Sequence, residues 1–186
     1  PLAARRIAPA EALFLFVALG LVAVWLALQL DPYAQLFAVA GALLAVTSPW
    51  LKRLVHVPQF YLGVAFGWSI PMAFASLTGD VPRIAWLLLI AVVLWAAVYD
   101  TMYAMVDRED DERIGVKSTA ILFGEADRAI IAIMMAMSLA ALWLAGKEAG
   151  LGVWYRGGLV AAAIHFLYEL WPIRRREPAA CFRAFY

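Results

Sequence analysis

Residues 84–106 read I-A-W-L-L-L-I-A-V-V-L-W-A-A-V-Y-D-T-M-Y-A-M-V, an apolar run broken by one formal charge, Asp100. At about 1.5 Å of rise per residue, a helix of this length covers the roughly 30 Å hydrocarbon core of a bilayer. Leu, Ala and Val dominate and nothing alternates with period two, so a helix is indicated and a barrel strand is not. Five further stretches have the same character: residues 11–30, 33–50, 57–77, 129–146 and 152–171. The expected fold is all-α, a polytopic membrane helical bundle with about six transmembrane helices in these residues. Composition agrees: the 186 residues are 66% hydrophobic and 16% charged, with a mean hydropathy of +0.82. Soluble domains are about 45–50% apolar.

Fifteen Lys and Arg stand against fourteen Asp and Glu, a net charge of +1, so no global basic field points to nucleic acid. Cys181 is the single cysteine, which excludes an intramolecular disulfide and a Cys-rich metal site. The apolar run after Arg5 and Arg6 exceeds a signal-peptide core and leads into another span, so it reads as a membrane helix. The cations are sorted. With six crossings, Arg5, Arg6, Lys52, Arg53, Arg108, Arg113, Lys117, Arg128, Arg174, Arg175, Arg176 and Arg183 all fall on one side, leaving Arg83, Lys147 and Arg156 on the other. By the positive-inside rule the first side, and both ends of the chain, face the cytoplasm. Trp50, Trp154 and Trp171 read as belt residues at the interfaces.

Six of the fourteen acids cluster at Asp100, Asp107, Glu109, Asp110, Asp111 and Glu112. If the helix over 84–106 continues through them, Asp107 and Asp111 lie one turn apart on one face, with Asp100 nearly two turns below and Tyr103 between. Like charges at this spacing repel, and anions beside hydrocarbon are costly, so a positive group must compensate them or the site must be wet. Magnesium suits an oxygen-only site with few protein carboxylates, because it keeps waters and bridges to substrate phosphates. Zinc is disfavoured, since His56 and His165 are isolated from each other and from Cys181. Glu109, Asp110 and Glu112 read as a solvated helix end, paired at the surface with Arg108 and Arg113.

Lys52, Arg53 and Lys117 fall on the same side as the acids. They suit a carboxylate or phosphate partner, and positive-inside anchoring explains them equally well. Gly63, Gly67 and Pro71 interrupt the third span, where small residues four apart permit close helix approach and the proline predicts a kink. His165, four residues before Glu169, reads as a packed or paired histidine. Met134, Met135 and Met137 read as packing or lipid-facing residues.

The run over residues 99–124, Y-D-T-M-Y-A-M-V-D-R-E-D-D-E-R-I-G-V-K-S-T-A-I-L-F-G, closely resembles the second aspartate-rich region of UbiA-type membrane prenyltransferases. Residues 57–75, V-P-Q-F-Y-L-G-V-A-F-G-W-S-I-P-M-A-F-A, and the terminal A-C-F-R-A-F-Y resemble the branch whose acceptor is 4-hydroxybenzoate. The resemblance covers essentially the whole chain. It implies nine membrane helices around a central cavity, of which the six spans here are the third to the eighth. Asp107 and Asp111 match the D-x-x-x-D pair that binds Mg²⁺ and the prenyl diphosphate. Lys52 and Arg53 match the basic residues after the family's fourth helix, with Arg53 a candidate for the aromatic carboxylate. Lys117 matches a cap-loop lysine that reaches the diphosphate, and Tyr103 is a further candidate substrate contact.

Three departures stand out. The family's first motif, N-D-x-x-D-x-x-x-D, is absent and is expected shortly before Pro1, which is no initiator. The last family helix is also absent, and the tyrosine of the Y-x-x-x-K motif is replaced by Ser48 in S-P-W-L-K. Residues 1–186 are thus expected to be a single transmembrane prenyltransferase domain incomplete at both ends, and inactive alone. The implied reaction is magnesium-dependent electrophilic aromatic substitution. It moves a polyprenyl group from polyprenyl diphosphate to the ring of 4-hydroxybenzoate, in ubiquinone biosynthesis at a bacterial inner membrane. Asp100 or the released diphosphate would take the ring proton. The lipid bilayer is the expected environment, with no nucleic acid and no obligate protein partner. Rival readings are a UbiA-type transferase with a naphthoate or haem acceptor, and a cation-binding transporter segment, which would lack its inverted repeat. A CDP-alcohol phosphotransferase would need an Asp-Gly dipeptide, which does not occur.

Overall fold

The computed structural model describes residues 7–54, 57–115, 117–175 and 181. Among them the chain is helical and carries no strand. The order is α1 (Pro9–Ala27), α2 (Pro32–Leu54), α3 (Pro58–Gly67), α4 (Ser69–Thr78), α5 (Arg83–Val106), α6 (Arg108–Ile114), α7 (Thr119–Phe123), α8 (Asp127–Glu148) and α9 (Val153–Leu170), with short 3-10 turns at Gly124–Ala126 and Pro172–Arg175. Five segments are long and apolar enough to cross a membrane: Pro9–Ala27, Pro32–Trp50, Pro58–Thr78, Arg83–Val106 and Thr119–Glu148. The chain is therefore a multi-pass membrane protein. The sixth expected span does form a helix, α9. Its apolar run is diluted by Arg156, His165 and Glu169, and it is not among the five.

Local chemistry explains the helix boundaries. Asp31 Oδ1 accepts the N–H groups of Tyr33 (2.9 Å) and Ala34 (3.1 Å), satisfying donors that the first turn of α2 would leave orphaned. The kink expected at Pro71 is a break at Trp68, separating α3 from α4. Pro71 cannot donate to the Gly67 carbonyl four residues back, and its ring crowds that carbonyl. Trp68 is held at the break by its indole N–H, which donates to Phe37 O in α2 at 2.8 Å.

Helix α5 is the spine of the bundle, packed by α3, α4, α7 and α8, while α2 covers α3 and α4 and α9 leans on α8. Its core partners include Ile131, Met134 and Met135 of α8, all buried. Met137 instead faces outward. No residue of α1 is buried, as suits a helix whose solvent is lipid. Between lipid and protein the hydrophobic effect drives little association, so helices hold by close van der Waals fit. One close fit, made in part against backbone, is between α3 and α5. A Cβ on Gly63 would stand 2.9 Å from Val93 O and 3.0 Å from Val93 Cα, and one on Gly67 would stand 2.6 Å from Leu89 Cδ1.

Gly63→Ala should therefore push α3 from α5 against rigid backbone and cost about 1–3 kcal/mol of stability. Gly20→Ala in α1, where nothing lies within 4 Å, should leave stability unchanged or slightly raised. Thermal unfolding of both variants in one detergent checks this; coincident midpoints would contradict the close approach.

Candidate active site

The α3-facing stripe of α5 leads directly to the acids. Gly63 meets Val93 and Ala96, and Gly67 meets Leu89 and Val92. Residues 89, 93, 96, 100, 103 and 107 follow one another at helical spacing, so Asp100, Tyr103 and Asp107 continue the stripe beyond Gly63. Asp100 and Asp107 are half-buried and Tyr103 is exposed.

The expected continuous helix through the acids is interrupted at Asp107, where φ is −93° and ψ is 3° and α5 gives way to α6. The interruption does not separate the pair. Asp111 N–H donates to Asp107 O at 2.9 Å, so the two aspartates remain one helical turn apart across the junction. Helix α6 then ends at Gly115, whose φ of 71° is a left-handed conformation that suits glycine, and whose N–H closes on Asp111 O. Lys117, half-buried, follows in the link to α7, and Ser118 caps α7 by accepting the Ile121 N–H at 3.3 Å.

A polar clamp holds this cap segment to the bundle. Thr101 of α5 and Thr119 of α7, both fully buried, share a hydrogen bond of 2.7 Å, and Thr101 also donates to Ala97 O. Arg108 donates to the carbonyls of Ala120 and Gly124 and faces Asp127 Oδ2 at 3.6 Å, with the Asp127 side chain fully buried. Arg108 is thus committed inward, not to the surface ion pairs expected of it. The partner Asp127 is a residue that sequence reasoning missed; an acid opening an apolar span was the available signal. Cys181 is buried close by; burial first, and the Asp127 carboxylate second, raise its thiol pKa.

The sequence-derived basic residues divide. Lys52 and Arg53 lie in the last turn of α2, with side chains outside the described ones, as are those of Glu109 and Asp110. His56 lies outside the described residues. Ser48, standing where the resemblance expects a tyrosine, donates back to Leu44 O at 2.7 Å within α2. On another face of α5, Trp95 stacks on Tyr99 beside a cavity of about 240 Å³ shared with α9, where His165 pairs with Glu169 at 3.1 Å. That histidine is paired, as its spacing suggested.

Among the described residues no group of three or more His, Cys, Asp or Glu is gathered closely enough to hold a metal ion alone. Asp107 and Asp111 supply an oxygen-only pair one turn apart. That donor set fits magnesium, which takes one or two carboxylates and completes its shell with water and substrate phosphate.

The sequence model of the UbiA prenyltransferase family matches residues 1–186. The chain is 54% identical over 185 residues to a 4-hydroxybenzoate octaprenyltransferase of Alkalilimnicola ehrlichii, covering 100% of this chain and 63% of that protein. A protein of the same name from Nitrosococcus oceani is 56% identical, with 100% and 65% covered. One from Methylococcus capsulatus is 52% identical, with 100% and 63% covered. The chain thus spans just under two thirds of these relatives. Among solved structures, the apo UbiA homolog from Aeropyrum pernix K1 superposes with a TM-score of 0.80 over 100% of this chain and 74% of that one, at 23% identity. This is a likeness of fold.

Arg108→Met should remove a cation from beside the buried Asp127 carboxylate, together with its bonds to the Ala120 and Gly124 carbonyls, and destabilise the protein by about 1–3 kcal/mol. Amide exchange measured by mass spectrometry should rise first over residues 117–127. Protection there equal to the parent protein would refute the clamp.

Proposed function

The chain belongs to the UbiA prenyltransferase family, and from that premise we propose that it serves a magnesium-dependent aromatic prenyltransferase acting on 4-hydroxybenzoate. The observation that carries this reading is the Asp107–Asp111 pair. It stands one helical turn apart at the end of a membrane span, in a chain 54% identical to a 4-hydroxybenzoate octaprenyltransferase. Residues 1–186 belong to a single transmembrane prenyltransferase domain in a bacterial inner membrane, with the acidic face cytoplasmic. The sorting of the cations supports that orientation.

The donor is a polyprenyl diphosphate, and the product is a ubiquinone precursor. Asp107 and Asp111 hold magnesium, which when bound supplies positive charge against the diphosphate. Lys117, and Lys52 from the end of α2, add cationic contacts to the same oxygens. Arg53 takes the carboxylate of the acceptor through its planar fork. The allylic C–O bond breaks and its electron pair leaves with the diphosphate. The ring carbon ortho to the phenol oxygen then forms the new C–C bond. Asp100, in its half-buried position below Tyr103, receives the proton that the ring releases, a role the departing diphosphate could share. Apolar walls of the bundle keep water from the cationic carbon.

Asp107→Ala and Asp111→Ala should each lower prenyl transfer at least about 100-fold. Chelation with EDTA should abolish it, and added Mg²⁺ should restore it. The assay is incorporation of labelled 4-hydroxybenzoate with geranyl diphosphate, in membranes carrying the intact protein. Near-normal turnover by either variant would overturn the assignment.

A further inference from the structure

Gln59 stands in the first turn of α3, is 4% exposed, and its Oε1 has no hydrogen-bond partner among the described residues. A buried amide oxygen left unpaired is uncommon and needs a reason, because folding strips it of water and returns nothing. Its location supplies one. Gln59, Gly63 and Gly67 are spaced by four and are all buried, forming a single stripe of α3. The contacts of Gly67 with Leu89 and Val92, and of Gly63 with Val93 and Ala96, show that this stripe runs antiparallel along α5. One more turn toward the start of α3 corresponds to one more turn toward the end of α5. Gln59 is thereby set against residues 97–100.

Only one side chain of that turn continues the α3-facing stripe. Ala97 and Val98 belong to the apolar core that α5 shares with α8, and the next residue, Thr101, bonds Thr119 of α7. Asp100 lies four residues after Ala96 and seven after Val93, on the α3 side. The register thus juxtaposes a neutral amide with an open acceptor position and a carboxylate, both beneath the Asp107–Asp111 pair.

We propose that Gln59 is a recognition residue for the hydroxyl of the phenolic acceptor, with Oε1 accepting the O–H hydrogen. The inference rests on the proposed aromatic prenyl transfer and deepens it. The amide suits this task for three reasons. It accepts a hydrogen bond at any working pH without carrying charge into the apolar interior. It leaves proton removal to another group. By drawing on the O–H it enriches the phenol oxygen, which activates the ortho carbon of the ring. It also provides discrimination, since an acceptor without the hydroxyl leaves a buried oxygen unpaired.

The test uses the intact protein in membranes, with geranyl diphosphate as donor, 4-hydroxybenzoate as acceptor and 4-methoxybenzoate as an inhibitor lacking the O–H donor. Gln59→Met keeps the side-chain length and removes the acceptor oxygen. It should raise KM for 4-hydroxybenzoate roughly five- to tenfold while leaving KM for geranyl diphosphate unchanged. The preference for 4-hydroxybenzoate over 4-methoxybenzoate should collapse by the same factor, which a purely structural defect would not produce. Gln59→Glu retains an acceptor oxygen and should keep more of that preference; it also serves if the methionine variant fails to fold. An unchanged preference in a folded Gln59→Met protein, or its full loss in a folded Gln59→Glu protein, would overturn the inference. If the unmutated protein prenylates no hydroxybenzoate, the functional reading itself fails, a result distinguishable from either.

Discussion

The closeness of α3 to α5 is the constraint on which the rest of the structure depends. In a bilayer, two apolar helices gain little from burying surface against each other, so their contact must come from fit. Gly63 and Gly67 let the backbone of α3 settle against Val93 and Leu89 at distances that no Cβ could occupy. That fit does more than bind. It fixes which residue of one helix stands opposite which residue of the other, and so carries Asp100 and Gln59 to one level and brings the acids to the end of that seam.

Above the seam the chain changes its means of cohesion. The cap segment is too short and too polar to hold itself by packing, and it is tied down by buried hydrogen bonds instead. Thr101 to Thr119, Ser118 to Ile121, and Arg108 to the carbonyls of Ala120 and Gly124 satisfy backbone and side-chain groups that would otherwise face hydrocarbon. The Arg108–Asp127 pair neutralises an anion at the start of α8. Arg108 is thereby turned inward, toward Asp127 and the cap carbonyls. Lys117 lies half-buried between α6 and α7.

Much of this was readable from the chain. The apolar runs located the spans to within a few residues, because a bilayer demands length and apolarity and little else. The run over 119–123 was the exception, since α7 is short and its role is to carry Thr119 and the Ala120 carbonyl to the clamp. The sixth expected span is helix α9, whose apolarity Arg156, His165 and Glu169 lower without stopping it from being helical. The one-turn spacing of Asp107 and Asp111 was legible in the sequence, and the break at Asp107 was not, because a helix can change direction at one residue while keeping its i to i+4 hydrogen bond.

By itself the sequence determined a helical membrane protein and an aspartate pair one helical turn apart at the end of a span, both of which depend on order along one chain. The partner of Arg108, the register of α3 against α5 and the open amide of Gln59 were decided only by tertiary structure. The physical reason is the same in each case. Hydropathy and helical periodicity are properties of a single helix, whereas an ion pair, a register and an unpaired hydrogen bond belong to the contact between two.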